Sequence, residues 1–330
     1  MNEQDSYLIF SGQSNPELSL EICKYLQKDP AKIEISRFTD GEIHARSEEN
    51  VRGKEVFVVQ STNQPSDNLM ELLVMIDSLK RASAETITAI IPYYGYARQD
   101  RKTQAREPIT AKLVANLIST AGANRVISID LHAGQIQGFF DIPSDNLTAV
   151  LLFSSFIKQG KMENVIVVSP DVGGVNRVKQ LSVLIGSHFA ICSKNREESD
   201  KVESIKLIGN VENKTAILLD DIISTASTLS LAAAELKKQG AKRVLAFATH
   251  GIFVDQSLEK LSNSPIDEVY ITNTVRISKE KLSRCPKLRV LSIAPLIGEA
   301  IRRVHYKQSL SELFVECEKS SLFDRIDQLA

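Results

Sequence analysis

Residues 216–228 read AILLDDIISTAST. Four apolar residues, Ala216, Ile217, Leu218 and Leu219, run into two adjacent carboxylates, Asp220 and Asp221. Ile222 and Ile223 follow, then five small or hydroxylated residues, and then a segment rich in Leu, Ala, Glu and Lys. A continuous apolar run bounded by polar residues reads as a buried parallel strand. The small residues read as the loop at its carboxyl end, and the Leu/Ala-rich segment as the helix that follows. In such a strand–loop–helix unit the helix N-terminus offers unpaired N–H groups and the positive end of the peptide dipoles, which suit a phosphate. Paired carboxylates suit vicinal hydroxyls or a share in Mg²⁺ binding. Phosphate on one side and a diol on the other describe a ribose phosphate. The plainer reading of the stretch alone is a strand end followed by a helix cap.

The rest of the chain repeats this rhythm. Strand-like runs fall at 56–60, 86–91, 126–131, 165–169, 244–249, 269–272 and 290–293. Between them lie segments with apolar residues at helical spacing. In 68–80 these are Leu69, Leu72, Leu73, Ile76 and Leu79; in 111–120 they are Leu113, Val114, Leu117 and Ile118. Alternating strands and helices predict largely parallel sheets flanked by helices. The sequence also echoes itself. GANRVISIDLH (122–132) parallels GAKRVLAFATH (240–250), and EVFVVQST (55–62) parallels NVIVVSPD (164–171). Two copies of one α/β unit, joined near 146–149, explain the echo, and 330 residues suit two domains.

Composition narrows the function classes. With 40 basic and 41 acidic residues, no global field selects nucleic acid or an anionic membrane. Cys23, Cys192, Cys285 and Cys317 are far apart, with no CxxC pair, which argues against structural zinc and a disulfide framework. The opening MNEQDSYLIF lacks the features of a signal peptide, and no apolar run reaches the ~20 residues that span a bilayer. A cytoplasmic protein is expected.

Other polar stretches punctuate the strand ends. RFTDGE (37–42) carries the turn pair Asp40-Gly41. IPYYGYARQDRK (91–102) joins three tyrosines to Arg98, Arg101 and Lys102; taken alone it suits a solvated basic loop or a nucleic-acid patch. Asp130 and His132 end the run VISIDLH, and SPDVGGVNR (169–177) places Gly173-Gly174 where backbone can approach a phosphate. SKNR (193–196) opens a charged stretch with the composition of an exposed loop.

Taken together these stretches resemble the ribose-phosphate pyrophosphokinase family, over about residues 6–315. Residues 216–228 are similar to the phosphoribosyl-pyrophosphate loop of type I phosphoribosyltransferase folds, 37–42 to the family's FxDGE segment, and 92–101 to PYxGYARQDR. The longest match is 130–146, DLHAGQIQGFFDIPSDN, where Gly134 stands in place of a frequent Glu. The resemblance implies two tandem phosphoribosyltransferase-like α/β domains, 1–148 and 149–330, with the final helix returning to the first. It implies ATP binding by Phe38, Asp40, Gly41, Glu42, Arg98 and Gln99. His132 and Asp171 would serve Mg²⁺, and Lys194 and Arg196 the catalytic loop. Asp220, Asp221, Ser224, Thr225, Ala226, Ser227 and Thr228 would hold ribose 5-phosphate. Where the family commonly reads DDxxDTxGT, this chain has Ser224 for the third Asp and Ser227 for Gly; Asn195 replaces a middle Arg of the catalytic loop.

The implied reaction is transfer of the β,γ-diphosphoryl group of ATP to O1 of D-ribose 5-phosphate, giving 5-phospho-α-D-ribose 1-diphosphate and AMP. The resemblance further implies a homo-oligomer, often a hexamer built of dimers, ATP sites that draw on a neighbouring chain, and phosphate and ADP as regulators. Two rival readings are a catalytically weak or regulatory subunit of the same family, and a phosphoribosyltransferase or phosphoribosyl-sensing regulator using only the loop at Asp220.

Overall fold

The computed structural model describes residues 7–195, 204–254 and 256–313. The chain opens with β1 (Tyr7–Ser11), α1 (Pro16–Tyr25) and a hairpin of β2 (Ile33–Arg37) and β3 (Ile43–Ser47). Then come β4 (Glu55–Val59), α2 (Asp67–Arg81), β5 (Thr86–Ile91), α3 (Thr110–Ala121), β6 (Arg125–Ile129) and β7 (Ser144–Leu147). Five of these strands form a wholly parallel sheet in the order β1-β4-β5-β6-β7. The second half follows as α4 (Val150–Gln159), β8 (Val165–Ser169), α5 (Val175–Ile185), β9 (His188–Asn195), β10 (Ser204–Ile208) and β11 (Thr215–Ile223). It ends with α6 (Ser227–Lys238), β12 (Arg243–Gly251), α7 (Ser257–Asn263), β13 (Glu268–Thr272), α8 (Lys279–Ser283), β14 (Leu288–Leu291) and α9 (Ala294–His305). Its seven-stranded sheet runs β10-β9-β8-β11-β12-β13-β14, parallel except at the β10 edge.

The two sheets share a run of parallel neighbours, β4-β5-β6-β7 in one and β8-β11-β12-β13 in the other, but differ at the edge. There β1 precedes β4 in the chain, whereas β9 and β10 follow β8, so the strand order of the second sheet changes direction at β8. The echoed segments fall on matching strands, β4 with β8 and β6 with β12. Both faces of each sheet are covered, so the strands read as apolar runs. One set of alternate residues, including Val56, Val58 and Ala89, packs under α2 and α3. In the second sheet Ala216, Leu218 and Ala246 pack under α6 and α7. The remaining faces meet a shared central layer of α1, α4, α5 and α9, where Phe57, Ile127, Ile217, Leu219 and Phe247 join one core. Phe153 of α4 meets Phe247 edge-on with centroids 5.3 Å apart, and Tyr270 stacks on Phe247 at 4.6 Å. Truncating so buried a phenylalanine as Phe153 would cost ~3–5 kcal/mol.

The closing helix crosses back to the first half. Its apolar stripe (Leu296, Ile297, Ala300, Ile301) is buried, and it packs on α1. Gly298 permits this approach, since a Cβ there would lie 2.4 Å from a Tyr25 ring carbon. His305 Nδ1 then meets Glu55 Oε2 at 2.7 Å, at the start of β4.

One sequence expectation needs correction. The strand at 216–219 does not stop at the aspartates; β11 continues to Ile223. The reason is its neighbour: β12 is equally long, and Asp220, Ile222 and Ile223 pair with Ala248, His250 and Gly251. Because side chains alternate along a strand, Asp221 continues the face of Ile217 and Leu219 and looks towards the first half.

Candidate active site

The carboxyl ends of both sheets converge at the seam between the halves. Asp221, on β11, meets His132, in the loop after β6: His132 Nδ1 lies 2.7 Å from Asp221 Oδ2. The two residues are 89 positions apart. Arg177, near the start of α5, brings Nη1 to 3.5 Å from Asp221 Oδ1 and 4.0 Å from Asp220 Oδ1. The Asp221 N–H donates to Asp220 Oδ1 at 2.9 Å, so the neighbouring carboxylates also touch through backbone.

Burial and neighbouring charge split the pair electrostatically. Burial, and then the Asp221 charge, push the Asp220 carboxyl well above the ordinary range. Burial works in the same direction on Asp221, but the His132 hydrogen bond and the Arg177 charge outweigh it and hold Asp221 below its ordinary value. The Asp221 hydrogen bond in turn raises the His132 pKa against the opposing effect of burial. Asp221 is thus ionised and His132 biased towards the imidazolium. With Nδ1 held by a carboxylate, the ring is oriented and Nε2 is aimed elsewhere.

Residues 224–228, expected from the sequence to hold a phosphate, lie where β11 gives way to α6. Among the described residues, the backbone N–H groups of Thr225, Ala226 and Ser227 have no backbone acceptor. Ser224 accepts a bond at its carbonyl from Val254 N–H (3.2 Å), Thr225 is exposed, and Thr228 lies in the first turn of α6. The left-handed residue of the loop is Ala226 (φ 62°), not Ser227, which begins the helix. The hydroxyl that replaces the family's Gly hydrogen therefore sits on ordinary backbone, where it accepts from Lys260 Nζ at 3.1 Å.

The residues expected from the sequence to bind nucleotide divide into two groups. Arg98 lines the same small cavity as Asp130, His132, Asp221, His250 and Tyr93. Gln99 lies beside it; its side chain accepts from Thr110 Oγ1, and its carbonyl accepts from Ala111 N–H. Phe38, Asp40, Gly41 and Glu42 form the exposed tip of the β2–β3 hairpin. There the Glu42 N–H donates to Asp40 Oδ1 at 3.2 Å, and Phe38 is 56% exposed. Among the described residues, no hydrogen bond or ion pair joins this tip to the His132–Asp221 cluster. Asp171 caps the turn after β8, with Oδ1 accepting from Gly174 N–H at 3.1 Å. Lys194 lies in β9 opposite Ile205, and Arg196 falls outside the described residues.

Two family descriptions match the chain. The N-terminal domain of ribose phosphate pyrophosphokinase matches residues 7–122, and the phosphoribosyl synthetase-associated domain matches 190–315. The ribose-phosphate pyrophosphokinase of Oceanobacillus iheyensis is 51% identical over 313 residues, covering 94% of this chain and 98% of that protein. The chain belongs to the ribose-phosphate pyrophosphokinase family. A family member from Thermotoga maritima is 50% identical over 318 residues, 95% of this chain and all of the relative. Among solved structures, the phosphoribosylpyrophosphate synthetase of Mycobacterium smegmatis superposes with a TM-score of 0.85 at 42% identity, over 92% of this chain and 100% of that one. The fold is accordingly that of two phosphoribosyltransferase-like α/β domains.

Three groups in the cluster escape a reading of strand ends. Arg177 is visible only as a basic residue one turn into the helix after Gly173-Gly174. Thr249 and His250 look like ordinary strand residues; the echo of His132 in His250 is their single signal. The echoed histidines differ in setting. His132 is half-exposed, whereas His250 is buried and its pKa is lowered by that burial.

Proposed function

We infer that the protein transfers the β,γ-diphosphoryl group of ATP to O1 of ribose 5-phosphate, releasing AMP. The observation that carries this reading is the His132–Asp221 contact, which joins the nucleotide-side loops of one sheet to the sugar-side strand tip of the other within one chain. In this reading residues 1–148 form the nucleotide-side domain and 149–330 the sugar-side domain.

Ribose 5-phosphate would lie with its phosphate against the N–H groups of Thr225, Ala226 and Ser227, flanked by the hydroxyls of Ser224 and Thr228. Asp220 and Asp221 would accept hydrogen bonds from the 2- and 3-hydroxyls, fixing the ring so that O1 faces the nucleotide. Arg98 lines the same cavity, and its guanidinium would grip polyphosphate, with Gln99 beside it. Lys194 and Arg196 would neutralise charge developing on the transferred group. Little covalent work falls to the protein in such a transfer; alignment and charge dominate.

The residues present suit a magnesium ion. Among the described residues, no three His, Cys, Asp or Glu side chains form a ready-made metal cage. Mg²⁺ favours carboxylate oxygens, retained waters and substrate phosphates over protein cages. The burial-raised Asp220 beside ionised Asp221 is a diacid that a cation would satisfy. Asp171, the aspartate pair and, once its Nε2 proton is displaced, the neutral ring of His132 would hold the ion, which supplies neutralisation of the nucleotide phosphates.

The exposed hairpin tip at Phe38, Asp40, Gly41 and Glu42 supports an adenine subsite completed by a neighbouring chain. A hexamer built of dimers, with phosphate and ADP as regulators, is the assembly proposed. Among the described residues no helix is long and apolar enough to cross a membrane, and we assign the protein to the cytoplasm, without nucleic-acid partners.

The test is formation of AMP from ATP and ribose 5-phosphate by the purified protein at saturating Mg²⁺ and phosphate. AMP in step with 5-phosphoribosyl diphosphate supports the assignment. ATP binding without any AMP would favour the regulatory-subunit reading, which the Ser224, Ser227 and Asn195 replacements motivate.

A further inference from the structure

His132 reaches Asp221 from a turn in which the residue two before it takes an unusual path. Asp130 has φ 40°, a left-handed conformation that costs a non-glycine residue ~1–2 kcal/mol. Such a conformation persists only where its surroundings over-determine it, and here most of the restraint comes from the other half of the molecule. The Asp130 N–H donates to Leu147 O at 2.8 Å. Asp130 Oδ2 accepts from Ala149 N–H at 2.9 Å and from Thr249 Oγ1 at 2.6 Å. His250 Nε2 lies 3.1 Å from Ile129 O and 3.3 Å from Asp130 O.

Carbonyl oxygens only accept, so His250 Nε2 carries the proton and Nδ1 accepts from Thr274 Oγ1 at 2.9 Å. The lowered pKa of His250 agrees with a neutral ring. Thr274 continues the chain of bonds, since its carbonyl accepts from Ser61 Oγ at 2.6 Å, and Ser61 Oγ accepts from Tyr93 N–H at 3.1 Å. The Tyr93 ring rests edge-on against His250 at 4.9 Å. The ends of β4, β5 and β6 are therefore pinned to the ends of β12 and β13 by buried polar groups. Thr249, His250, Thr272 and Thr274 are all within 3% of full burial.

We propose that Thr249 and His250 are positioning residues for diphosphoryl transfer: from β12 they hold the strained Asp130 turn so that His132 stands against Asp221 and Arg98 beside it. Neither touches substrate in this scheme. They set the distance between nucleotide-side and sugar-side loops, which in-line transfer requires to within a fraction of an ångström, and an ~1 Å misplacement can cost ~10²-fold in rate. The proposal rests on the reaction inferred above for its kinetic arm alone.

The experiment compares full-length wild type with Thr249→Val, His250→Gln and His250→Leu. Thr249→Val keeps the shape and removes one donor; His250→Gln keeps an N–H able to reach the carbonyls; His250→Leu keeps neither. The first readout is the ¹⁵N–¹H NMR signal of the His132 ring, assigned by its loss in His132→Gln. The second is the steady-state split between kcat and KM. Expected are a displaced His132 signal and a kcat lower by ~10-fold in Thr249→Val and ~10²-fold in His250→Leu, with KM for ribose 5-phosphate within ~2-fold and substantial rescue in His250→Gln. The proposal is overturned if folded Thr249→Val and His250→Leu keep the wild-type ring signal and kcat, whatever happens to their melting temperatures. Should His250→Leu fail to fold, Thr249→Val still decides. If wild type forms no AMP, the reaction assignment fails by itself, while the ring signal continues to judge the clamp.

Discussion

Replacing Arg177 by Met removes the guanidinium that faces both aspartates. At the observed 3.5 and 4.0 Å, and an effective dielectric of ~20, each charge contact is worth ~4–5 kcal/mol before desolvation. Most of that gross attraction offsets the cost of burying the guanidinium, whose side chain is 16% exposed. Breaking a buried pair from one side usually costs ~3–5 kcal/mol, because a carboxylate is left without its counter-charge. Here the lower end applies: Asp220 is already pushed towards its protonated form and can take up a proton, and Asp221 keeps His132. The expected loss is ~3 kcal/mol at pH 7.5, ~10²-fold in the unfolding equilibrium. The pH dependence has a definite sign. Asp220 has a folded pKa above its unfolded value, so its contribution to stability is complete below ~3.9 and is lost as pH rises through the folded pKa. Asp221 is lowered, so its contribution is present above ~3.9 and is lost only as pH falls through its folded pKa. The gap between wild type and Arg177→Met should therefore narrow as pH falls from 7.5 towards 5, where the variant's extra proton binds readily. Urea unfolding followed by circular dichroism at both pH values measures this. Equal urea midpoints at pH 7.5, or a gap that widens on acidification, would show that Arg177 is not the counter-charge of the pair.

Asp221→Asn should lower the pKa of the His132 ring, because its hydrogen bond is the largest cause of the upward shift; an NMR titration that leaves the ring unmoved contradicts the assignment. Lys194→Ala and Arg196→Ala should each lower kcat by ~10²–10³-fold, the scale for losing one charge-stabilising donor, and leave KM for ribose 5-phosphate within a few-fold. Rapid-quench single turnovers with unchanged chemistry would remove both from the proposed roles. Ser227→Gly should change KM for ribose 5-phosphate by less than ~3-fold, since the left-handed position is Ala226 and a glycine at the helix start costs under ~1 kcal/mol. A sharp gain in affinity would mean that the Ser227 side chain obstructs the phosphate. Ser224→Asp, which restores a carboxylate beside the loop, should tighten ribose 5-phosphate, and the same assay reads it.

Much of the molecule is legible in its residues alone. Apolar runs of strand length, helical spacing at Leu69–Leu72–Ile76–Leu79, and the echo of 122–132 in 240–250 predict alternating strands and helices in two similar halves. Local chemistry suffices for that, because side-chain period and chain entropy act over a few residues. It also suffices to propose 224–228 as a phosphate loop, since small hydroxylated residues before a helix leave N–H groups unpaired whatever surrounds them.

The meeting of Asp221 with His132 cannot be read from spacing, and neither can the role of Arg177 or of the buried pair Thr249 and His250. Those contacts depend on which face of an extended β11 looks inward, and on how the two sheets pack across the layer of α1, α4, α5 and α9. A strand residue carries no mark of its distant partner. Burial removes the water that would screen its charge, and the fold then settles which carboxylate keeps a proton and which imidazole is held. The order of residues is enough for the halves, their strands and the loop that would take a phosphate. How the two halves face each other follows only from the folded chain, because charge strength and side-chain direction at the seam are set by long-range packing.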